Sequence, residues 1–300
     1  MNAWKRYIKD FVSYLKIERG LSDNSVVAYQ NDVLKLRDHC EPRNVAPEKI
    51  TYEHLKGFIA ELYDLGLSAR SQARIISGVK QFFHFLLIEK IIESDPSELL
   101  EMPSIGRKLP EVLSIEEIDE LINAIDLSTN EGHRNKAILE TLYSCGLRVS
   151  ELVDLQFQNL FFEEGFIRVI GKGNKQRLVP VSSTVEKEIN LYKEATRNHQ
   201  KIKPGNESYV FLNRRGAKLT RVMIFTIIKN LAEKIGLQKN ISPHTFRHSF
   251  ATHMLEGGAN LRAIQEMLGH ESITTTEIYT HLDQNFLKDA IISYHPRNKN

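Results

Sequence analysis

No stretch of these 300 residues stays apolar long enough to cross a bilayer. The most apolar run, residues 82–88, is too short and is interrupted by His84. No apolar signal core follows the opening residues, where Trp4 sits among Lys5, Arg6, Lys9 and Asp10, so a cytoplasmic chain with no membrane partner is expected. Cysteine is almost missing. Cys40 and Cys145 are too few and too isolated for a disulfide framework or a zinc site, which leaves buried thiols as their reading. An excess of one charge is missing as well: 40 Lys+Arg stand against 38 Asp+Glu, a net +2. Binding to a polyanion must therefore come from where charges are placed, not from their sum. Low-complexity tracts and short-period repeats are absent, and no Asp/Glu cluster suggests a catalytic metal.

What is present is ordinary in bulk and specific in detail. The length allows two domains, each with its own core, and 41% hydrophobic with 26% charged residues is typical of a globular chain. The first hundred residues read as four helices. Trp4, Tyr7, Ile8, Phe11 and Leu15 recur at helical spacing up to Gly20, and Ser22 can cap a second helix that stops near Pro42. Thr51 starts a third helix, stopped at Gly66, and Ser68 a fourth, broken at Pro96. Lys35 and Arg37 in the second helix, and Arg70, Arg74 and Lys80 in the fourth, fall on exposed faces. Taken alone they are solubilising charges. Residues 102–110, with two prolines, a glycine, Arg107 and Lys108, have the composition of a linker.

A capping box, Ser114 with Glu117, opens a second region. A helix over 135–145 then closes at Gly146 and runs into Gly-Leu-Arg-Val-Ser-Glu-Leu, in which Glu151 lies three beyond Arg148. An intrahelical ion pair is the plain reading. The sharper one has Glu151 supporting a guanidinium whose outer face takes a phosphate in bidentate fashion. The β region spans 160–181, with turn signals at 163–165 and at Gly171-Lys172-Gly173-Asn174. Another capping box, Ser183 with Glu186, opens a helix to about 198, and Thr220 caps one that ends at Gly236. Ser242 and Pro243 are a strong helix start, which puts His244 and Arg247 one turn apart near a helix N-terminus that favours anions. A short helix over 261–268 ends at Gly269 and delivers His270, and Ser272 can cap a further helix with Tyr279 two turns in. Two histidines, an arginine and a tyrosine around a potential phosphate site point to phosphoryl transfer.

That ordered series resembles the signature of the tyrosine recombinases, the integrase family, and within it most the bacterial Xer site-specific recombinases. The resemblance covers essentially the whole chain. It implies a mainly α fold: a helical core-binding domain over 1–104, a linker over 105–108, and an α+β catalytic domain over 109–300 with a small antiparallel sheet. It implies Tyr279 as the nucleophile forming a 3′-phosphotyrosine, Arg148, Arg247 and His270 as ligands of the non-bridging oxygens, and His244 as base or hydrogen-bond partner. Lys172 is then the acid that protonates the leaving 5′-oxygen, with Glu151 behind Arg148. Arg70, Arg74 and Lys80 become contacts to the DNA backbone. No cofactor, metal or ATP is required, because one phosphoester is exchanged for another. The partners implied are duplex DNA with paired half-sites and a tetramer through a Holliday junction, made of this chain alone or with a paralogous recombinase. A DNA translocase is a further implied partner. Chromosome-dimer resolution at cell division is the implied role. An integrase of a mobile element, a type IB topoisomerase and a non-catalytic DNA-binding protein of the same fold are the alternatives. Beyond Tyr279, an apolar stripe of Phe286, Leu287, Ala290, Ile291 and Tyr294 is compatible with packing on its own domain. The resemblance implies instead docking on a neighbouring protomer.

Overall fold

The computed structural model describes residues 3–106, 111–171, 174–269 and 281–298, the side chains of 281–285 excepted. The chain divides into two compact units, Met1–Lys108 and Leu109–Asn300. The first holds four helices: α1 (Ala3–Ile17), α2 (Asp23–Cys40), α3 (Tyr52–Asp64) and α4 (Ala69–Ile88). Their apolar stripes meet in a core rich in aromatic rings, where Phe11 meets Phe82 edge-on at 5.3 Å and Phe85 at 5.5 Å. Ser68 Oγ accepts from the Ser71 amide at the start of α4, and the His54 ring accepts from the Thr51 amide at the start of α3. α2 and α4 approach so closely that a Cβ on Gly78 would lie 2.6 Å from Asp32 Oδ2.

The second unit is helical around one small sheet. α5 (Ile115–Asn123), α6 (Gly132–Cys145) and the short α7 (Val149–Val153) come first. β1 (Leu160–Phe161), β2 (Phe166–Ile170) and β3 (Gln176–Pro180) form an antiparallel meander, with Ile170 opposite Gln176 at the hairpin end. Then follow α8 (Ser183–Ala195), α9 (Arg221–Lys234), α10 (Pro243–Glu256), α11 (Leu261–Leu268) and α12 (His281–Tyr294). The fold is mainly α with a three-stranded antiparallel sheet, as the sequence reading had it. One detail differs. The cap of α8 is Ser182, whose Oγ accepts from the Val185 amide; Ser183 is already the first helical residue.

α6 runs through the middle of this core, and nearly every residue from Ala137 to Cys145 is buried. At the C-terminal end, Leu287, Ala290 and Ile291 of α12 are buried in the same core, while Phe286 stays 44% exposed. Burying each large aliphatic side chain contributes about 1.5–3 kcal/mol. Past α12, His295 is fully buried between Tyr143 and Phe250, at ring separations of 4.9 and 5.6 Å. Arg297 reaches Asp119 Oδ1 at 2.5 Å and Glu140 Oε2 at 3.0 Å. In the single chain, then, Leu287, Ala290 and Ile291 of the stripe pack on their own unit, and docking them on a neighbour would first have to undo that packing. No helix among the described residues is long and apolar enough to cross a membrane.

Candidate active site

The site begins where α6 ends. Gly146 takes φ +56°, and a Cβ there would sit 2.6 Å from the Phe250 ring, so only glycine turns the chain this tightly against α10. Two residues on, Arg148 is extended and precedes α7. Glu151 accepts from the Arg148 backbone amide at 2.8 Å and from Arg148 Nη1 at 2.9 Å. The carboxylate is only 2% exposed, whereas the arginine side chain remains 36% open to solvent. A second guanidinium holds the same carboxylate: Arg177 of β3 donates through Nη1 and Nη2 to both Glu151 oxygens, each at 2.8 Å.

α10 supplies the third arginine. Thr245 Oγ1 accepts from the Ser242 amide at the head of that helix. One turn in, Arg247 is buried and donates through Nη1 to the Gly146 carbonyl at 2.7 Å and through Nη2 to the Leu268 carbonyl at 2.5 Å. α11 is the common anchor. Its last carbonyls run Met267, Leu268, Gly269, and each takes one arginine: Arg177 Nε at 2.7 Å, Arg247 Nη2 at 2.5 Å, Arg148 Nη2 at 3.1 Å. Carbonyls left over at a helix C-terminus carry partial negative charge and suit cations. Gly269 ends the helix at φ +66°, and a Cβ on it would press on Arg177 at 3.1 Å.

Three guanidiniums thus gather around one carboxylate that binds only two of them, Arg148 and Arg177, and this imbalance bears on the proton affinities of the groups. Burial would raise the Glu151 pKa, but Arg177 and Arg148 outweigh it and hold the carboxyl below the usual range. Burial, then repulsion from Arg148, lowers Arg247 from 12.5 to about 10. His244, at the exposed head of α10, is also lowered, by partial desolvation and then by Arg247, His248 and Arg148. Both effects favour the neutral ring, the form that can accept a proton or a hydrogen bond. A site of this kind can bind an anion with two negative oxygens and stabilise charge that develops on them.

Of the residues singled out in the sequence, Arg148, Glu151 and Arg247 meet directly or through α11, with His244 one turn from Arg247. Lys172, His270 and Tyr279 lie outside the described residues, as do the helix start at Ser272 and linker residues 107–108. The Lys172 hairpin does close beside the cluster. The Gly171 amide donates to the Lys175 carbonyl at 2.8 Å, and a Gly171 Cβ would lie 3.6 Å from Glu151 Oε1. In the first unit Arg70 is exposed. Arg74 gives both Nη groups to buried Asp32, at 2.7 and 2.6 Å, and Lys80 Nζ reaches the Glu98 carbonyl at 3.3 Å. Arg177 was missed in the sequence. Its signal was available: it shares a strand face with core Val179, where a charge requires a buried partner. Among the described residues no three His, Cys, Asp or Glu groups converge to hold a metal.

Residues 111–285 match the phage integrase family, and residues 8–90 match the phage integrase N-terminal SAM-like domain. Tyrosine recombinase XerD of Chlorobaculum tepidum is 43% identical over 298 residues, 98% of this chain and 97% of that protein. Tyrosine recombinase XerD of Staphylococcus epidermidis is 40% identical over 291 residues, 97% and 98% of the two. Among solved structures, the Tn1549 transposon integrase with circular-intermediate DNA aligns at TM-score 0.71, 20% identity and 95% of each chain. The XerH site-specific recombinase on palindromic difH substrate aligns at 0.70 and 24% identity, over 95% of this chain and 84% of that one. These two likenesses speak for the fold.

Proposed function

The chain belongs to the phage integrase family as a tyrosine site-specific recombinase most like the Xer enzymes, and we propose that it exchanges strands of duplex DNA through a 3′-phosphotyrosine bond and a Holliday junction to resolve chromosome dimers. In this reading Tyr279, whose hydroxyl ordinarily titrates near about 10, attacks the scissile phosphorus. Arg148 and Arg247 hold the non-bridging oxygens and offset the charge of the pentavalent transition state. His270 takes a non-bridging oxygen as well. Neutral His244 accepts from the tyrosine hydroxyl, and Lys172 gives a proton to the leaving 5′-oxygen. A free 5′-hydroxyl of another strand then reverses the chemistry, so the bond energy is conserved without ATP.

The observation that carries the reading is the charge surplus at the end of α11, where three guanidiniums gather and the one carboxylate binds only two of them. Duplex DNA with paired half-sites is the proposed substrate, in a tetramer of this chain or of this chain with a paralogue, and a DNA translocase is a further candidate partner. The helical first unit and its basic residues are proposed to clamp the DNA backbone, so binding should weaken steeply with salt. The test uses a nicked duplex carrying a site selected from a random-sequence pool. Wild type should form a covalent adduct at Tyr279, and Tyr279→Phe should bind equally well and form none. An adduct on another residue would overturn the assignment. With Lys172→Ala, cleavage should recover when sulfur replaces the leaving 5′-oxygen; no recovery would remove Lys172 as the acid.

A further inference from the structure

Arg177 is buried, with its side chain 7% exposed, yet it has no part in the reaction set out above. Three of its five N–H donors are divided between two acceptor groups. Nη1 and Nη2 bind both oxygens of Glu151 at 2.8 Å, and Nε binds the Met267 carbonyl at 2.7 Å. Glu151 in turn holds Arg148 through both backbone and side chain. The two carbonyls after Met267 hold Arg247 and Arg148. Arg177 thus ties together Glu151 and the C-terminal end of α11, which hold Arg148 and one arm of Arg247; the other arm of Arg247 goes to the Gly146 carbonyl. The strand that carries it also forms one arm of the hairpin whose end packs near Glu151.

We propose that Arg177 is a positioning residue for strand cleavage: it locks Glu151 to the C-terminus of α11 so that Arg148 and Arg247 face one phosphate together. This rests on the reading of those two arginines as the phosphate ligands. Arg177 meets no solvent-facing surface of the site and so touches no DNA; it acts through Glu151 and the α11 carbonyls. A buried fork that makes three hydrogen bonds in fixed directions cannot be replaced by a point charge. Arg177→Lys keeps the charge beside Glu151 but loses either the second oxygen or the Met267 carbonyl. Small misplacements of catalytic groups cost about 10²-fold in rate.

The experiment measures adduct formation by the full-length protein on the nicked duplex, with either a normal scissile phosphate or a methylphosphonate there. The methylphosphonate has no negative non-bridging oxygen and depends less on well-aimed arginines. Arg177→Met should slow cleavage of the phosphate by about 10²-fold and that of the methylphosphonate by much less. Arg177→Lys should fall between Arg177→Met and wild type. In an Arg148→Ala background, Arg177→Met should add little, since its effect runs through Arg148. Equal losses on both substrates, or a fully additive loss with Arg148→Ala, would overturn the proposal and leave Arg177 a purely structural residue. Should wild type form no adduct on either substrate, the recombinase reading itself falls and this proposal with it. That result differs from a wild type that works while Arg177 variants lose both substrates alike.

Discussion

Two buried charged clusters sit in the second unit, built from similar residues and put to opposite uses. At the end of α12, Arg297 meets two carboxylates, Asp119 and Glu140, and lies over the Tyr143 ring, with His295 stacked alongside. At the end of α11, three arginines meet one carboxylate and three helix carbonyls. The first cluster has enough negative charge to answer its cation within the fold. The second does not, and Arg247 is lowered to about 10 by burial first and then by repulsion from Arg148. A cluster whose cation is answered within the fold needs no anionic ligand. One with a surplus is complete only when an anion arrives. Charge accounting separates structural from functional arginines here, where burial and residue type do not.

The sharpest way to break this contrast is to remove one arginine from each cluster. Arg148→Ala leaves Glu151 still held by Arg177, so the change in stability should be within about 1 kcal/mol. Adduct formation should nevertheless fall by about 10³-fold. Arg297→Ala should do the reverse. It strands buried Glu140 and should cost about 3 kcal/mol of unfolding free energy, with adduct formation by the folded protein staying within a few-fold of wild type. Denaturant unfolding and adduct kinetics on both variants check the pair. Similar stability losses for the two would erase the distinction.

Much of this was legible in the sequence. The Arg148–Glu151 spacing, the helix stop at Gly269 and the start at Ser242 are local patterns, and local patterns are what hydrogen-bonded turns and caps are made of. The strand face shared with Val179 signalled that Arg177 is buried, but its partners were not legible, because they lie 26 and 90 residues away and no helical or strand period links them. The stripe on α12 showed that an apolar face existed, but a face does not name what covers it. His295 and Arg297 decide that, through partners 100 or more positions earlier in α5 and α6. For Ser182 and Ser183 either serine could cap, and only the backbone geometry after Val181 selects the first. Arg74 read as an exposed basic residue; that its Nη groups go to Asp32 depends on how closely α2 and α4 pack at Gly78.

A smaller effect sharpens the comparison through two histidines. Burial lowers His295 from 6.5 to about 3, with Arg297 and His253 adding to it against a hydrogen bond with Tyr143. Its folded pKa is depressed, so the unfolded chain takes up a proton that the native chain refuses, and stability falls as pH drops from about 6.5 towards about 3. His295→Leu should flatten that limb of a stability profile while leaving the pH dependence of cleavage unchanged. His244 is lowered too, yet it is exposed and next to the surplus arginines. Loss of adduct formation on acidification should therefore follow His244, setting in below the ordinary imidazole range. In His244→Gln that limb should disappear. A stability profile that tracked His244, or a cleavage profile that tracked His295, would invert the assignment.

The central claim is that the surplus charge at the C-terminus of α11 is where the scissile phosphate binds. A crystal structure of Tyr279→Phe on the selected duplex tests it most directly. The account predicts one phosphate with its non-bridging oxygens within hydrogen-bond distance of both Arg148 and Arg247, while Arg177 still holds Glu151. A duplex bound with its phosphates elsewhere, and these two arginines still turned only to the Gly146, Leu268 and Gly269 carbonyls and Glu151, would contradict it.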